Sequence, residues 1–240
     1  MSNSGIGEYR YLLMTLDPVH VGTGGYRLGG VDLSIVREVG TNVPKIPGTS
    51  LSGVLRAYAA HAYGKPTCAG QGQRKEAKHC GNSTCPICYT FGYASEKERG
   101  HAGVVSLFDA QIVLFPVYSM RGPVWVSTRE RLEKARFSID GDGSKDALSD
   151  TKALASWNGN DRINLGWLMM DISSKVSIEP PKENGKTVEM KEWDAISHKV
   201  VITTERMFSV VVNSNLEVRT SVSINPDTGA AEEGALFTYE

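Results

Sequence analysis

A chain of 240 residues with 40% hydrophobic and 22% charged side chains has the composition of an ordinary globular protein and enough length to bury a core. No apolar run approaches the roughly 20 residues that a bilayer span needs, and the opening MSNSGIGEYRY has neither a basic lead nor an apolar signal core, so a cytoplasmic protein without a membrane partner is expected. The net charge of −1 removes the strongest argument for nucleic acid, yet residues 1–136 carry six more basic than acidic side chains and the remainder seven fewer, a division compatible with a polyanion on one face.

In chain order, the apolar stretch Tyr11–Leu16 stops at Asp17-Pro18 and predicts a strand closed by a turn. HVGTGGYRLGGVDLSIVRE follows, from His20 to Glu38, with five glycines between Gly22 and Gly30 and then a single carboxylate, Asp32. Glycine admits backbone approaches that any side chain would block. Asp32 is therefore either an acid solvating a turn or strand edge, or one presented to a ligand. VDLSIVRE alternates well enough for a second short strand. PKIPGTSLSGVLRAYAAHAYGK is the clearest helix: Thr49 or Ser50 caps it, Leu51, Val54, Leu55 and Tyr58 form its apolar face, and Gly64 ends it.

Residues 65–100 are polar and hold all four cysteines, which reads as an insertion. AGVVSLFDAQIVLFPVYS gives two apolar runs parted by Asp109-Ala110, GPVWVST a further strand and TRERLEKARF a short charged helix. From about 138 to 198 the pattern weakens, and EPPKENGKTVEM suggests a hairpin or long loop. TTERMFSVVVNS predicts a helix, LEVRTSVSINP a strand, DTG a turn, and GALFTYE the start of another strand. This order predicts an α+β, ferredoxin-like domain whose sheet wants another strand or two beyond ALFTYE, as in a fold truncated at its C-terminus.

Cys68, Cys80, Cys85 and Cys88 fall within 21 residues, CAGQGQRKEAKHCGNSTCPIC. The C-x2-C spacing lets two thiolates bind one tetrahedral metal, and a reducing compartment disfavours disulfides, so a structural Zn²⁺ site of four thiolates leads. His79 is the alternative to Cys68 as the fourth ligand. A closed four-thiolate site has no open position for chemistry and acts as a staple.

Several stretches together, PVHVGTG, GGVDLSIVRE, PKIPGTSLSGVLRAYA, CPICYTFG and HAGVVSLFDAQIVLFPVYSMRGPVWVST, resemble the repeated backbone subunit of type III CRISPR effector complexes, within the RAMP superfamily. IPGTSLSGVLR with LFDAQIVLFPVYSMRGPVWV points to the type III-B form, while the cysteine insertion resembles type III-A and III-D relatives. The resemblance implies a single RAMP domain over 1–240: a ferredoxin-like, RNA-recognition-like palm, a cysteine-bearing zinc insertion at about 65–100 and a thumb at about 138–198. It also implies copies of the subunit stacked along a CRISPR RNA with other type III subunits, each copy offering one aspartate to the complementary target RNA. That aspartate maps to Asp32.

An in-line attack by a 2′-hydroxyl needs positioning and charge neutralisation near the phosphate, and a carboxylate can hold hydrated Mg²⁺ or Mn²⁺ there. PGTSLSG at a helix start suits a phosphate, making Lys45, Ser50, Ser52 and Arg56 candidate contacts to the guide backbone, with Arg121 in YSMRGPVWV a further one. His20 invites a general-base reading but is expected to pack beside the palm. In the thumb, Val176, Ile178 and Val188 are candidates to wedge between nucleotides. Two functions follow: a guide-directed, metal-dependent endoribonuclease using Asp32, or a scaffold that coats guide RNA with Asp32 inert.

Overall fold

The computed structural model describes residues 7–24, 32–70, 79–94, 100–141, 147–159, 162–183 and 186–240; most of the glycine loop ahead of Asp32 lies outside them. The chain forms two compact units, Val36–Glu38 with Pro44–Gln111, and Met1–Ile35 with Val39–Val43 and Ile112–Glu240.

The smaller unit contains β1 (Lys45–Ile46), α1 (Gly48–Ala62), α2 (Pro86–Phe91), β2 (Gly92–Tyr93), β3 (His101–Ala102) and β4 (Ala110–Gln111). β1 pairs antiparallel with β4, and β2 with β3. Its core is small: Ala60, Cys68, Ala69, Cys85, Ile87 and Cys88, with Ala57, Ala59, Phe91 and Tyr93 against it. A core of thiols and alanines draws the small side of α1 inward. The stripe expected to be buried, Val54, Leu55 and Tyr58, is exposed instead.

The helix start also differs from expectation. α1 begins at Gly48 behind Pro47, and neither Thr49 nor Ser50 caps it. Asp109 takes that role from 61 positions away, its Oδ1 accepting the Gly48 N–H at 2.8 Å. Gly48 is needed there, because a Cβ would stand 2.1 Å from the Leu107 carbonyl oxygen.

The larger unit contains β5 (Phe115–Ser119), β6 (Gly122–Thr128), α3 (Arg129–Lys134), β7 (Ser138–Asp140), β8 (Lys152–Ala155), β9 (Arg162–Leu165), β10 (Leu168–Lys175), β11 (Ser177–Glu179), β12 (Lys182–Glu183), β13 (Lys186–Thr187), α4 (Lys191–Ile196), β14 (Val200–Thr203), α5 (Glu205–Ser214), β15 (Arg219–Ile224) and β16 (Ala231–Tyr239). A mixed six-stranded sheet, in the order β5-β6-β14-β8-β10-β9, makes this a mixed α/β fold. β14 runs parallel to β6 and antiparallel to β8, and β8 runs parallel to β10. The two outer strands approach each other at one end, where the Gly166 N–H donates to the Tyr118 carbonyl at 3.1 Å and the Met120 N–H to Asn164 Oδ1.

Two apolar clusters hold this unit. One joins Val117, Val124, Val126, Ile163, Leu165 and Met170 of the sheet to Met207, Phe208, Val211 and Val212 of α5, whose helical spacing turns one face inward. The other joins Leu154, Val200 and Ile202 to Leu132, Phe137 and Trp193. Thr128 and Thr204 cap α3 and α5 through their hydroxyls, as helix starts prefer. Between them, Glu205 accepts from the Thr128 hydroxyl through Oε1 and pairs with buried Arg131 through Oε2 at 3.1 Å.

Several expectations change. Tyr11–Leu16 is irregular and exposed, Tyr11 and Leu16 by 80% and 86%, because among the described residues no strand pairs with it. VDLSIVRE makes isolated bridges at Leu33, Ile35 and Arg37 in place of a strand. The weakly patterned 138–198 stretch supplies β8, β9 and β10, half of the main sheet. Val176 and Ile178, expected to wedge between nucleotides, are buried beside Phe137 and Trp193. Val188 stays half-buried. Among the described residues, no helix is long and apolar enough to cross a membrane.

Candidate functional site

In the larger unit, Asp32 is held by a residue 206 positions away. Thr238, near the end of β16, donates to Asp32 Oδ2 from its backbone N–H at 2.8 Å and from its hydroxyl at 3.0 Å. The Asp32 N–H donates back to the Thr238 hydroxyl at 3.1 Å. Main-chain bonds continue the join, from the Leu33 N–H to the Thr238 carbonyl and from the Glu240 N–H to the Leu33 carbonyl. Among the described residues, none donates to Oδ1. The result is a half-buried carboxylate whose Oδ2 is occupied and whose Oδ1 takes no donor from the described residues.

His20 is anchored to the same strand end: its Nδ1–H donates to the Glu240 carbonyl and its ring meets Tyr239 edge-on at 5.6 Å. It is exposed, and its packing is limited to this strand end. No local pattern marks Thr238, because the partner of Asp32 comes from the opposite end of the chain.

In the smaller unit, the sulfurs of Cys68, Cys80, Cys85 and Cys88 lie within 4.8 Å of one another. Two separations are 3.6 Å, between Cys80 and Cys88, and 3.9 Å, between Cys68 and Cys85. The edge of a tetrahedron with ~2.3 Å metal–sulfur bonds is ~3.8 Å, so the cluster fits one tetrahedral ion. Pro86 opens α2 and leaves Cys85 at its N-cap, which aims backbone N–H groups at the Cys85 thiol. Burial opposes its ionisation, but hydrogen bonds from the Cys88 and Ile87 N–H groups and the neighbouring thiols lower its pKa to about 7. Burial, followed by the Cys80 thiol, raises Cys88 to about 12. At Cys80 the Asn82 N–H favours the thiolate, but burial and the thiols of Cys68 and Cys85 outweigh it and raise the pKa. A cation would take protons from this group in exchange for its own charge.

His79 is not in the cluster. Its Nδ1 meets Arg56 Nη2 at 2.9 Å, and burial, then the Arg56 charge, lowers its pKa. Arg56 also donates to the carbonyls of Cys68 and Gly92, at 2.8 and 2.7 Å. Its guanidinium thereby spans the chain on both sides of the cysteine cluster.

The remaining site residues predicted from the sequence are placed as follows. Lys45 pairs with Asp109 at 2.6 Å. Ser50 and Ser52 are half-buried in the first turns of α1. Arg121, in the larger unit, lies at the β5–β6 turn with its guanidinium 5.2 Å from the Trp157 ring centre.

The profile of the RAMP superfamily matches residues 12–240. The chain belongs to the RAMP superfamily. A RAMP relative from Pyrococcus furiosus, the CRISPR system Cmr endoribonuclease Cmr4, is 30% identical over 242 residues, spanning 95% of this chain and 75% of the relative. Among solved structures, a chain of the type III-B Cmr-beta bound to cognate target RNA has a TM-score of 0.57 at 16% identity, over 92% of this chain and 74% of that one. A crystal structure of Cmr4 gives 0.50 at 20% identity, over 93% and 77%. These structures share the fold, and the sequence relative places the chain with Cmr4.

Proposed function

We propose that this chain is the repeated backbone subunit of a type III-B CRISPR ribonucleoprotein, holding CRISPR RNA along its phosphates and cutting complementary target RNA through Asp32. The observation that carries the reading is the fixed, half-open carboxylate of Asp32 in a chain 30% identical to a Cmr endoribonuclease. The six-stranded sheet is read as the ferredoxin-like palm, residues from about 65 to 100 within the smaller unit as the zinc insertion, and the β12–β13 hairpin as the tip of the thumb. Further copies of the chain and other type III subunits complete the particle, which is placed in the cytoplasm, where four free thiols persist.

Cleavage is an in-line displacement in which a target 2′-hydroxyl gives its proton to water and attacks the adjacent phosphorus, forming a 2′,3′-cyclic phosphate as the bond to the 5′-oxygen breaks and that oxygen takes a proton from water. A bare carboxylate beside a phosphodiester repels it, so Asp32 needs a cation between the two charges. Oδ1 offers one ligand, and Mg²⁺ or Mn²⁺ is commonly held by one or two carboxylates with phosphate oxygens and water. Such an ion, when bound, neutralises charge on the reacting phosphate. Asp32 orients that charge, and the main-chain join at Leu33 and Thr238 fixes the backbone that carries the carboxylate.

The guide is held by Ser50 and Ser52 in the first turns of α1 and by Arg121. Lys45 reaches a phosphate while sharing its ammonium with Asp109. Arg56 serves the RNA chiefly by bracing the segment that carries the cysteines, since its donors already have partners. Zn²⁺ in the four-thiolate cluster staples this unit and takes no part in cleavage.

In the assembled particle, Asp32→Ala is expected to abolish cutting of a guide-matched RNA while guide and target binding stay near normal. A group acting mainly in the transition state is lost from the rate and not from affinity. A normal product ladder from an all-mutant particle would leave the chain as a scaffold.

A further inference from the structure

Resting on that reading of Asp32, we infer that Thr238 is its positioning residue and fixes the carboxylate in a one-oxygen mode of cation binding. An aspartate carboxylate turns freely about its last torsion, since that torsion is broad and two-fold. Here both donors of Thr238 converge on Oδ2, and the Thr238 hydroxyl also receives the Asp32 N–H. The three bonds form a closed pair in which each residue donates to the other. They leave Oδ1 as the ligand atom.

This arrangement has a chemical consequence. A carboxylate with one oxygen saturated by two donors gives a cation a single bond. Mg²⁺ and Mn²⁺ suit such a bond, because an octahedral ion completes its shell with phosphate and water. Ca²⁺ is larger and often takes both carboxylate oxygens, which Thr238 disfavours here. Thr238 thus contributes to the choice of ion without touching it, as hydrogen-bond partners of metal-binding groups commonly do. The backbone N–H of Thr238 remains in any variant, so the hydroxyl is the part that substitution tests.

The test uses the assembled, guide-loaded particle with Thr238→Val, which keeps the branched shape that β16 accommodates, and Thr238→Ser, which keeps the hydroxyl. Mn²⁺ binding is read by electron paramagnetic resonance on a target carrying a 2′-deoxy nucleotide at the cut site, so that no turnover occurs. Cleavage of the ordinary target is read across Mn²⁺ and Ca²⁺ concentrations. Thr238→Val is expected to weaken Mn²⁺ binding and raise the Mn²⁺ needed for half-maximal cleavage, each about 10- to 100-fold. It should also narrow the preference for Mn²⁺ over Ca²⁺, with target affinity unchanged. Thr238→Ser is expected to match the wild type.

Wild-type Mn²⁺ binding in Thr238→Val overturns the inference, as does the valine defect appearing in Thr238→Ser. An Asp32→Ala particle run alongside separates the two levels. If it still cuts, the catalytic reading of Asp32 fails; if it is dead while Thr238→Val behaves as the wild type, only the positioning role fails. Should the valine particle not assemble, Thr238→Ala supplies the same hydroxyl deletion and the same outcomes.

Discussion

Lys45 and Asp109 meet at 2.6 Å beside the start of α1, and the other oxygen of the same carboxylate receives the Gly48 N–H. The first backbone donor of this helix is therefore taken by Asp109, and a guide phosphate is left to Lys45 and the hydroxyls of Ser50 and Ser52. One residue neutralises the nearby lysine and satisfies a backbone donor that the helix leaves open.

The Lys45 hydrogen bond, then the Gly48 N–H, hold the Asp109 carboxyl below its ordinary value of 3.8. A depressed carboxylate pKa gives stability that is present above the ordinary value and is lost as pH falls through the lowered one. Asp109→Asn is thus expected to lower the thermal midpoint at neutral pH. The difference from the wild type should shrink to nothing as the acid range is crossed. Melting curves from neutral pH down to the acid limit of folding check this, and a gap that widens toward low pH contradicts it.

Zinc content follows from the sulfur geometry. Elemental analysis of native protein is expected to find about one equivalent per chain, retained through dialysis because a closed four-ligand site exchanges slowly. Cys85→Ser should remove most of it and lower stability while leaving the Asp32 reaction intact in assembled particles. Metal-free native protein would refute the assignment.

Arg56 tests whether the cysteine segment depends on its brace. Arg56→Ala is expected to speed zinc loss to a chelator by about 10- to 100-fold, the usual scale for removing a support behind metal-binding groups. Arg56→Lys should not rescue it, since an ammonium on a flexible stem cannot reproduce a planar fork holding Cys68, Gly92 and His79. Equal release rates in all three proteins would make the arginine incidental.

Glu205 holds two helix starts together in the larger unit, and its loss takes the carboxylate from buried Arg131, whose side chain is 8% exposed and keeps its bond to the Ile112 carbonyl. Breaking a buried ion pair costs about 3–5 kcal/mol; Glu205 is 36% exposed, so solvent screening reduces the expectation for Glu205→Ala to about 2 kcal/mol. Glu205→Gln, which keeps the acceptor for Thr128, should lose less. Urea midpoints at an unchanged slope measure both.

What the sequence made legible divides along physical lines. The α5 helix and the β15–β16 hairpin rest on local rules, and local patterns marked them. The four-cysteine cluster was legible because ligand spacing is itself local, and the structure excludes His79 by giving it to Arg56. β8 to β10 were not, since KALA is a short buried run without alternation and RINL and LMMDISSK alternate over too few residues to stand out among the surrounding polar ones. The same reason hid Thr238 and Asp109. Each acts on a residue far along the chain, 206 and 61 positions away, where no pattern in sequence can point. Val54, Leu55 and Tyr58 misled in the opposite sense, because an apolar stripe says which face shuns water and not what covers it.

The seam between Tyr118 and Gly166 bears on how the protein behaves at high concentration. Open sheet edges recruit strands from other molecules, the first step of many unwanted assemblies. Here the outermost strands spend backbone donors on each other's acceptors at that end, and Asn164 takes the Met120 N–H beside them. A sheet whose margins meet in this way offers a stray strand little to lengthen. At that end, where these two bonds lie, the main sheet is guarded against strand addition.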